Sequence, residues 1–343
     1  MIKEIEKIIM ENGPRWEIPF FPPRSLYFTK TSGSKNNAAR QPVVFLVFDQ
    51  RGPTPRWVVK ASRHLSSAST LQKEYQQLLY FYHTLSPGLR KAIPRPLLSR
   101  EDPGRFLFVE TGLHGSGFSS MVRLDGGPAH QKQIEKILHN VKAWLLKFQK
   151  ETQEEEVEIT EEWIEQNIKA PLDQYQSLYP CSSEEERFFS DYLESWKPYF
   201  RTQLPLVACH GDFWAGNMLM DGEDLSVFDW TFSRRKGLPF DDILLFISSF
   251  LVDSSERSEG NNNMKSFEKI FFSRHWFSQQ VRELIVQFFF QHKLSPRMIS
   301  QIFPLFLIKM AVRKEDEYHT LRNPLWRDRL AFYIQNQHRF IEI

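Results

Sequence analysis

Residues 207–230 read VACHGDFWAGNMLMDGEDLSVFDW, and they contain the pattern that decides the fold. The apolar runs NMLM (217–220) and LSVFDW (225–230) flank the turn DGED, and an Asp-Gly pair inside such a turn is typical of a β-hairpin. Pairing Met220 with Leu225 across the turn places Asn217 opposite Phe228 and next to Asp229. We therefore expect the amide of Asn217 and the carboxylate of Asp229 to meet at the open end of one hairpin.

An amide oxygen beside a carboxylate suits a hard cation such as Mg²⁺, which takes few protein oxygens and leaves room for phosphates. Asp212 lies on the loop that enters the hairpin, so it can approach the same place without being a metal ligand. This arrangement predicts two metal ligands and one free carboxylate that orients a nucleophile or accepts its proton. The alternatives are a structural turn with chance polar residues, or a degenerate and inactive site.

The composition of the chain limits the classes of protein to which it can belong. The chain has 343 residues, a formal net charge of +2 and 25% charged residues, which indicates a globular protein and gives no electrostatic reason to expect a nucleic-acid partner. Cys181 and Cys209 imply no disulfide framework. The longest apolar runs are too short to span a bilayer, and the N-terminal stretch lacks the apolar core of a signal peptide. We expect a cytoplasmic protein without a membrane partner, and the oligomeric state is not predicted.

The first third of the chain reads mainly as strands, at residues 25–30, 42–49, 56–62 and 105–111, because these runs are rich in Val and aromatic residues and end at turn formers. One helix is expected among them, from about Ser69, with Gln72 completing a capping box, to Leu85. After Gly117 the apolar spacing becomes helical. The prediction is an α+β chain with a small antiparallel-sheet lobe (1–112) and a larger, mostly helical lobe (113–343).

The motifs HGDFWAGN (210–217) and VFDW (227–230) resemble the catalytic loop and metal-binding segment of the aminoglycoside phosphotransferase and choline kinase-like family, small-molecule relatives of the protein kinases. The resemblance implies a protein-kinase-like fold with Asp212 as the catalytic carboxylate, Asn217 and Asp229 as magnesium ligands, and His210 as a structural residue. The segment GLPFDDI (237–243) resembles the family's Gly-x-Pro-x-x-Asp segment, which implies that Asp242 braces the loop.

A kinase-like first lobe needs a lysine on its third strand and a carboxylate on the following helix. Lys60 ends the third strand, and Glu74 shares the apolar face of Leu71 and Leu78. A carboxylate that faces a core is costly unless a cation meets it, so we expect Glu74 to pair with Lys60. The resemblance then implies that Lys60 is held over the α- and β-phosphates of a nucleotide.

Two other segments would complete a nucleotide site. The loop TSGSKNNAAR (31–40) offers Ser32, Gly33 and Ser34 as backbone donors to phosphate oxygens, although a plain hairpin loop explains it equally well. The stretch FVETGLHG (108–115) lies where the family's interlobe hinge would fall, which implies that the backbone from Glu110 to Gly112 meets the adenine edge.

These features predict a magnesium-dependent small-molecule kinase that uses ATP, with GTP as the alternative nucleotide. The acceptor would be a hydroxyl of a sugar, amino sugar or amino alcohol. The rival interpretation is a nucleotide-binding pseudokinase with a regulatory or scaffold role. The weak match of residues 31–40 to a phosphate-binding loop supports it, and the presence of Asp212 opposes it. A protein acceptor is less favoured, because residues 231–262 contain no long segment like an activation loop.

Overall fold

The computed structural model describes residues 1–17, 21–31, 42–50, 52–102, 105–118, 127–250, 262–318 and 324–340. In chain order the strands are β1 (Leu26–Thr31), β2 (Val43–Asp49), β3 (Trp57–Ala61), β4 (Pro96–Asp102), β5 (Arg105–Thr111), β6 (Ser116–Gly117), β7 (Glu155–Glu158), β8 (Gln203–Cys209), β9 (Met218–Asp221), β10 (Asp224–Val227) and β11 (Arg234–Gly237). The α-helices are α1 (Ile2–Asn12), α2 (Leu65–Thr84), α3 (Pro87–Arg90), α4 (Pro128–Thr152), α5 (Glu161–Ile164), α6 (Ala170–Leu178), α7 (Ser183–Glu194), α8 (Phe240–Phe250), α9 (Asn262–Phe271), α10 (Trp276–Gln291), α11 (Ile299–Tyr318) and α12 (Pro324–Gln335). In these residues no helix combines the length and the apolar character needed to cross a membrane.

The chain divides into two compact units. The first comprises Met1–Phe118, His210–Asp212 and Asn217–Arg234, and the second comprises Ser119–Cys209, Phe213–Gly216 and Arg235–Ile343. The antiparallel sheet and the many helices confirm the predicted α+β class. The functional division of the chain at residue 112 stays a prediction.

The first unit contains an antiparallel five-stranded sheet with the order β1-β2-β3-β5-β4. Alternate residues of a strand point to opposite faces. One face packs on α1, where Ile5 and Ile9 meet side chains such as Val59 and Val109. The other face packs on α2 through Leu71. Residues that neighbour Val59 and Val109 in sequence therefore point toward α2, and this alternation brings polar side chains to that face.

Two local predictions for this unit are wrong. Helix α2 begins at Leu65, four residues before the predicted Ser69, because Ser67 forms the capping box with His64: its hydroxyl oxygen accepts the His64 backbone N–H (3.4 Å). Strand β4 is missing from the prediction, and a proline such as Pro96 is unfavourable inside a sheet. The structure tolerates Pro96 since it is the first residue of an edge strand, where no ladder hydrogen bond depends on its nitrogen.

The hairpin predicted from residues 217–230 is present. Strands β9 and β10 pair antiparallel with Met220 opposite Leu225, which confirms the predicted register. The Phe228 N–H donates to the Asn217 carbonyl (3.0 Å), so the residue before Asp229 pairs with Asn217 as expected. Strand β6 adds to β9 and gives the order β10-β9-β6.

The second unit is mainly helical and contains a small sheet of order β11-β8-β7. Its core is rich in phenylalanine: Phe240 stacks on Phe289 with ring centres 4.1 Å apart. Near this stack, Gln149 of α4 donates through Nε2 to the Pro239 carbonyl (2.8 Å), and its Oε1 lies 2.9 Å from His292 Nε2. Because Gln149 Oε1 can only accept, His292 must donate from Nε2, and burial lowers the pKa of His292 to about 4.

This depressed pKa predicts acid sensitivity. The unfolded chain takes up a proton on His292 below its usual pKa of 6.5, whereas the folded protein resists protonation until about pH 4. The free energy of unfolding should therefore fall as the pH drops through this window, by about 2 kcal/mol at pH 5 relative to pH 7.5. Urea unfolding at both pH values measures this loss of stability. The loss should be absent in His292→Gln and should remain in His338→Gln, which changes an exposed histidine. An unchanged pH dependence in His292→Gln would contradict the assignment.

Candidate active site

The loop after β8 has a conformation that requires glycine at one position. Gly211 has φ +78°, and a Cβ at this residue would lie 2.2 Å from the Phe232 carbonyl oxygen. Both the backbone angle and the close approach exclude a larger residue. The Gly in HGD is therefore dictated by local geometry, which brings the chain at residues 210–212 close to the segment after Asp229.

His210 is fully buried and links the backbone at Asp212 with the backbone at Phe228. Its Nε2 lies 3.0 Å from the Phe228 carbonyl oxygen, and its Nδ1 accepts the Asp212 backbone N–H (3.3 Å). These contacts select the neutral tautomer that carries its proton on Nε2. The ring also stands edge-on against Trp230, with centres 4.8 Å apart. One imidazole thus fixes the backbone of Asp212 relative to the backbone that leads into Asp229.

Asn217 and Asp212 are in direct contact. Asn217 Nδ2 donates to the Asp212 carbonyl (2.9 Å) and to Asp212 Oδ2 (2.9 Å). Both bonds use the amide nitrogen, so Asn217 would meet a cation through its amide oxygen. The contact also orients the Asp212 carboxylate, which the sequence had placed near the hairpin without indicating how it would be held.

Asp229 follows the hairpin in a left-handed conformation with φ +65°, which is uncommon for a residue other than glycine and is often found at functional sites. Its Oδ1 accepts a hydrogen bond from the Thr231 hydroxyl (2.7 Å). Burial opposes ionisation, but the charge of Lys60 and the hydrogen bond from Thr231 together hold the pKa of Asp229 below its usual value. The side chain is therefore a carboxylate at neutral pH.

Lys60 lies within a cluster of carboxylates, as the alternation along β3 and β5 dictates. Its Nζ contacts Glu74 Oε1 directly and lies 3.7 Å from Glu110 Oε1. The predicted contact between Lys60 and Glu74 is therefore present, with Glu74 only 1% exposed. Burial disfavours the charged lysine, but the neighbouring carboxylates outweigh it and raise the pKa of Lys60. Lys60 is therefore a permanent cation at this position.

Thr231 connects the Lys60–Glu74 pair with Asp229. The sequence did not indicate this role. Its hydroxyl lies 2.7 Å from Asp229 Oδ1 and 3.0 Å from Glu74 Oε2. A single hydroxyl between two carboxylates links the Lys60–Glu74 pair to the end of the hairpin. No sequence signal marks Thr231 beyond its place two residues after Asp229.

Glu110 has a side-chain contact that the prediction does not include. Its side chain is 3% exposed and faces Lys60, whereas the prediction concerned the backbone alone. The Thr111 and Gly112 N–H groups donate to the carbonyls of Arg95 (3.0 Å) and Arg56 (2.9 Å). Two of the donors expected to meet an adenine edge are thus used within the sheet. Adenine recognition by the backbone from Glu110 to Gly112 stays a prediction.

Comparison with known proteins decides the relationship. The model of a family described as the phosphotransferase enzyme family matches residues 36–253, more than half of the chain. The chain belongs to this family. No curated relative matches the chain by sequence. The match makes the protein an enzyme that transfers phosphate to an alcohol acceptor.

Three solved structures share the fold. A protein described as an aminoglycoside phosphotransferase of Ralstonia eutropha JMP134 is 12% identical, with a TM-score of 0.58 over 100% of this chain and 99% of that one. Choline kinase of Cryptosporidium parvum Iowa II is 12% identical, with a TM-score of 0.55 over 98% and 96%. A thermostable mutant of aminoglycoside phosphotransferase APH(4)-Ia, solved with AMP-PNP and hygromycin B, is 14% identical, with a TM-score of 0.56 over 97% and 98%. The likeness confirms the protein-kinase-like fold.

Several residues expected from the family resemblance are not tested by this geometry. Ser32, Gly33 and Ser34 lie outside the described residues. Asp242 is buried in the first turn of α8 in the second unit, and its bracing of the loop stays a prediction. Trp230, which flanks the motif, is fully buried against His210 and Phe81, so it packs the interior of the first unit.

The donor set fits the magnesium ion that such phosphotransferases would use. Within the described ranges, no group of three His, Cys, Asp or Glu side chains is arranged to hold a metal ion. Asp229 supplies an ionised carboxylate, and Asn217 has its amide oxygen left after its nitrogen is used. One carboxylate and one amide oxygen match the few hard protein ligands that Mg²⁺ takes beside phosphates.

Proposed function

We propose that this phosphotransferase is an ATP- and Mg²⁺-dependent small-molecule kinase that phosphorylates a hydroxyl of a sugar, amino sugar or amino alcohol. The observation that carries the proposal is the set formed by Asp212, Asn217, Asp229 and Lys60 in a chain of this family. Lys60 is tied through Glu74 and Thr231 to Asp229, and Asp229 follows the same hairpin that begins at Asn217.

Each residue has a role that follows from its chemistry. Lys60 supplies a permanent positive charge for nucleotide phosphates. Asn217 and Asp229 would hold the metal ion, which neutralises phosphate charge when it is bound. Asp212 accepts a hydrogen bond from Asn217 and is held where it can orient the acceptor hydroxyl and receive its proton. Most of the rate enhancement then comes from positioning and charge stabilisation.

The acceptor class is proposed from the fold neighbours, because the described residues supply no specific acceptor contact. One neighbour is a choline kinase and another was solved with hygromycin B, so amino alcohols and amino sugars are the first acceptors to test. The location in the cytoplasm is proposed from the sequence features alone.

The direct experiment measures ATP consumption by the purified protein with Mg²⁺ and a panel of sugars, amino sugars and amino alcohols. Asp212→Asn serves as the inactive control, and a peptide panel tests a protein acceptor. Turnover with a small hydroxylated acceptor, lost in Asp212→Asn, supports the proposal. Binding of Mg-nucleotide without turnover of any acceptor favours the pseudokinase interpretation, and turnover of peptides alone favours a protein kinase.

The two proposed metal ligands should differ in importance. Asp229→Ala removes a charge and should abolish Mg²⁺-dependent nucleotide binding, whereas Asn217→Ala removes a neutral oxygen and should weaken it less. Calorimetric titration of AMP-PNP with and without Mg²⁺ measures both losses, and exposed Asp224→Ala is the matched control on the same hairpin. Equal losses in the two variants would contradict the ranking.

A further inference from the structure

The cluster around Lys60 holds more negative than positive charge. Lys60 is 7% exposed, Glu74 is 1% exposed and Glu110 is 3% exposed, so all three side chains are buried. Burial raises the pKa values of both glutamates, and the negative charge of Asp229 adds to this rise. If every group is ionised, three carboxylates surround one ammonium. Buried charge of this kind is costly unless a cation or a proton compensates it.

Glu110 is the weakest-held member of the cluster. Lys60 Nζ contacts Glu74 directly, but it lies 3.7 Å from Glu110 Oε1, which is beyond ordinary hydrogen-bond distance. The second carboxylate oxygen of Glu74 also lies 3.0 Å from the Thr231 hydroxyl oxygen. The two glutamates therefore compete for one ammonium, and the geometry favours Glu74.

Burial raises the pKa of Glu110 to about 7; the charge of Lys60 opposes this rise, while Glu74 and Asp229 add to it. Among the residues that the structure describes, the charged groups that act on Glu110 are Lys60 from β3, Glu74 from α2 and Asp229 from the segment after β10. Glu110 can therefore gain or lose a proton near neutral pH, while Lys60 and Asp229 keep their charges.

We propose that Glu110 is a positioning residue for Lys60 and that it takes up a proton when a nucleotide polyphosphate binds. The proposal rests on the proposed function, because it needs the phosphates to approach Lys60. An ionised Glu110 draws Lys60 toward the sheet and repels the incoming phosphates. A proton taken from solvent onto a Glu110 carboxyl oxygen removes that repulsion and leaves Lys60 to Glu74 and the phosphates. No bond other than this O–H bond forms or breaks.

Proton uptake is measured directly by calorimetry. AMP-PNP with Mg²⁺ is titrated into the wild-type protein at pH 7.5 in buffers with different ionisation enthalpies, and the slope gives the number of protons taken up. The wild-type protein should take up roughly three quarters of a proton more than Glu110→Gln, which cannot titrate. Exposed Glu101→Gln is the matched control on the neighbouring strand and should behave as wild type.

The pH dependence of nucleotide use gives a second readout that a merely structural role would not move. The ratio of the wild-type KM for ATP to that of Glu110→Gln should rise roughly five- to tenfold from pH 6.5 to 8, because the binding-competent protonated form becomes scarce. The change should be carried by KM, while the corresponding ratio of kcat values stays flat. Glu110→Asp should keep proton uptake, with a shifted midpoint, because it restores a titrating carboxyl group.

The outcomes separate this proposal from the function on which it rests. If wild type and Glu110→Gln bind Mg–AMP-PNP with equal proton uptake, or if the wild type releases protons relative to Glu110→Gln, the role of Glu110 is wrong and the kinase function stands. If the wild type binds no Mg-nucleotide, both are wrong. Should Glu110→Gln fail to fold, Glu110→Asp decides, and an uptake identical to wild type in amount and midpoint would overturn the proposal.

Discussion

Asp212→Asn is expected to fold normally and to bind Mg-nucleotide, but to lose roughly 10²–10⁴ in kcat, the contribution of a positioned acid–base group. The substitution keeps the shape of the side chain and an oxygen that can accept the bond from Asn217 Nδ2. It removes only the negative charge and the ability to receive a proton. Steady-state kinetics with the best acceptor of the panel measure kcat, and calorimetry with AMP-PNP measures binding.

A matched aspartate controls for loss of charge in this part of the chain. Exposed Asp221 ends β9, four residues after Asn217, and Asp221→Asn should keep wild-type kcat. A turnover near the wild-type value in Asp212→Asn would remove the proposed base. A loss of nucleotide binding equal to the loss of turnover would instead make Asp212 a binding residue.

The hairpin and the Lys60–Glu74 pair could be predicted because local rules determine them. The DGED turn fixes which residues face each other across β9 and β10, so the position of Asn217 relative to Asp229 follows from the turn alone. Glu74 could be paired because a carboxylate on an apolar helix face needs a cation nearby. Neither inference required knowledge of distant contacts.

The same rule applies to the side chain of Glu110, for which the sequence analysis predicts no role. On β5, Phe106, Phe108 and Glu110 alternate onto one face, and that face is buried against α2. A carboxylate at the end of this apolar row needs compensation as much as Glu74 does. The family resemblance implies a role for the backbone of Glu110 alone and gives no reason for its side chain.

The bridging role of Thr231 and the start of α2 could not be predicted from the sequence. Each depends on which of several similar polar groups forms a particular hydrogen bond in the folded protein. Residues 66, 67 and 69 are all serines, and only the folded backbone selects His64 as the N-cap, with Ser67 three residues later in its capping box. Thr231 bridges Glu74 and Asp229 across a sequence separation of 157 residues on one side. Such contacts depend on tertiary structure and leave no periodic signal in the sequence.

Lys60→Ala is expected to abolish ATP turnover and to destabilise the protein by roughly 3–5 kcal/mol, because it leaves buried carboxylates without their cation. The structure adds Glu110 to the carboxylates that lose a partner. Without Lys60, both glutamates should be protonated in the folded state, so folded-state pKa values rise and stability is lost as the pH increases. Urea unfolding should therefore show a larger deficit at pH 8 than at pH 6, and exposed Lys91→Ala is the control.

Removing the carboxylates of Glu74 and Glu110, which lose their cation in Lys60→Ala, should restore stability stepwise without restoring activity. Lys60→Ala with Glu74→Ala should recover part of the lost free energy of unfolding, and adding Glu110→Gln should recover more, because the remaining buried charge falls at each step. Strictly additive effects of Lys60→Ala and Glu74→Ala would show that the two side chains are not coupled. Full recovery of stability in the first double variant would show that Glu110 stays compensated without Lys60. Recovered turnover in either combination would mean that nucleotide phosphates do not depend on the Lys60 ammonium.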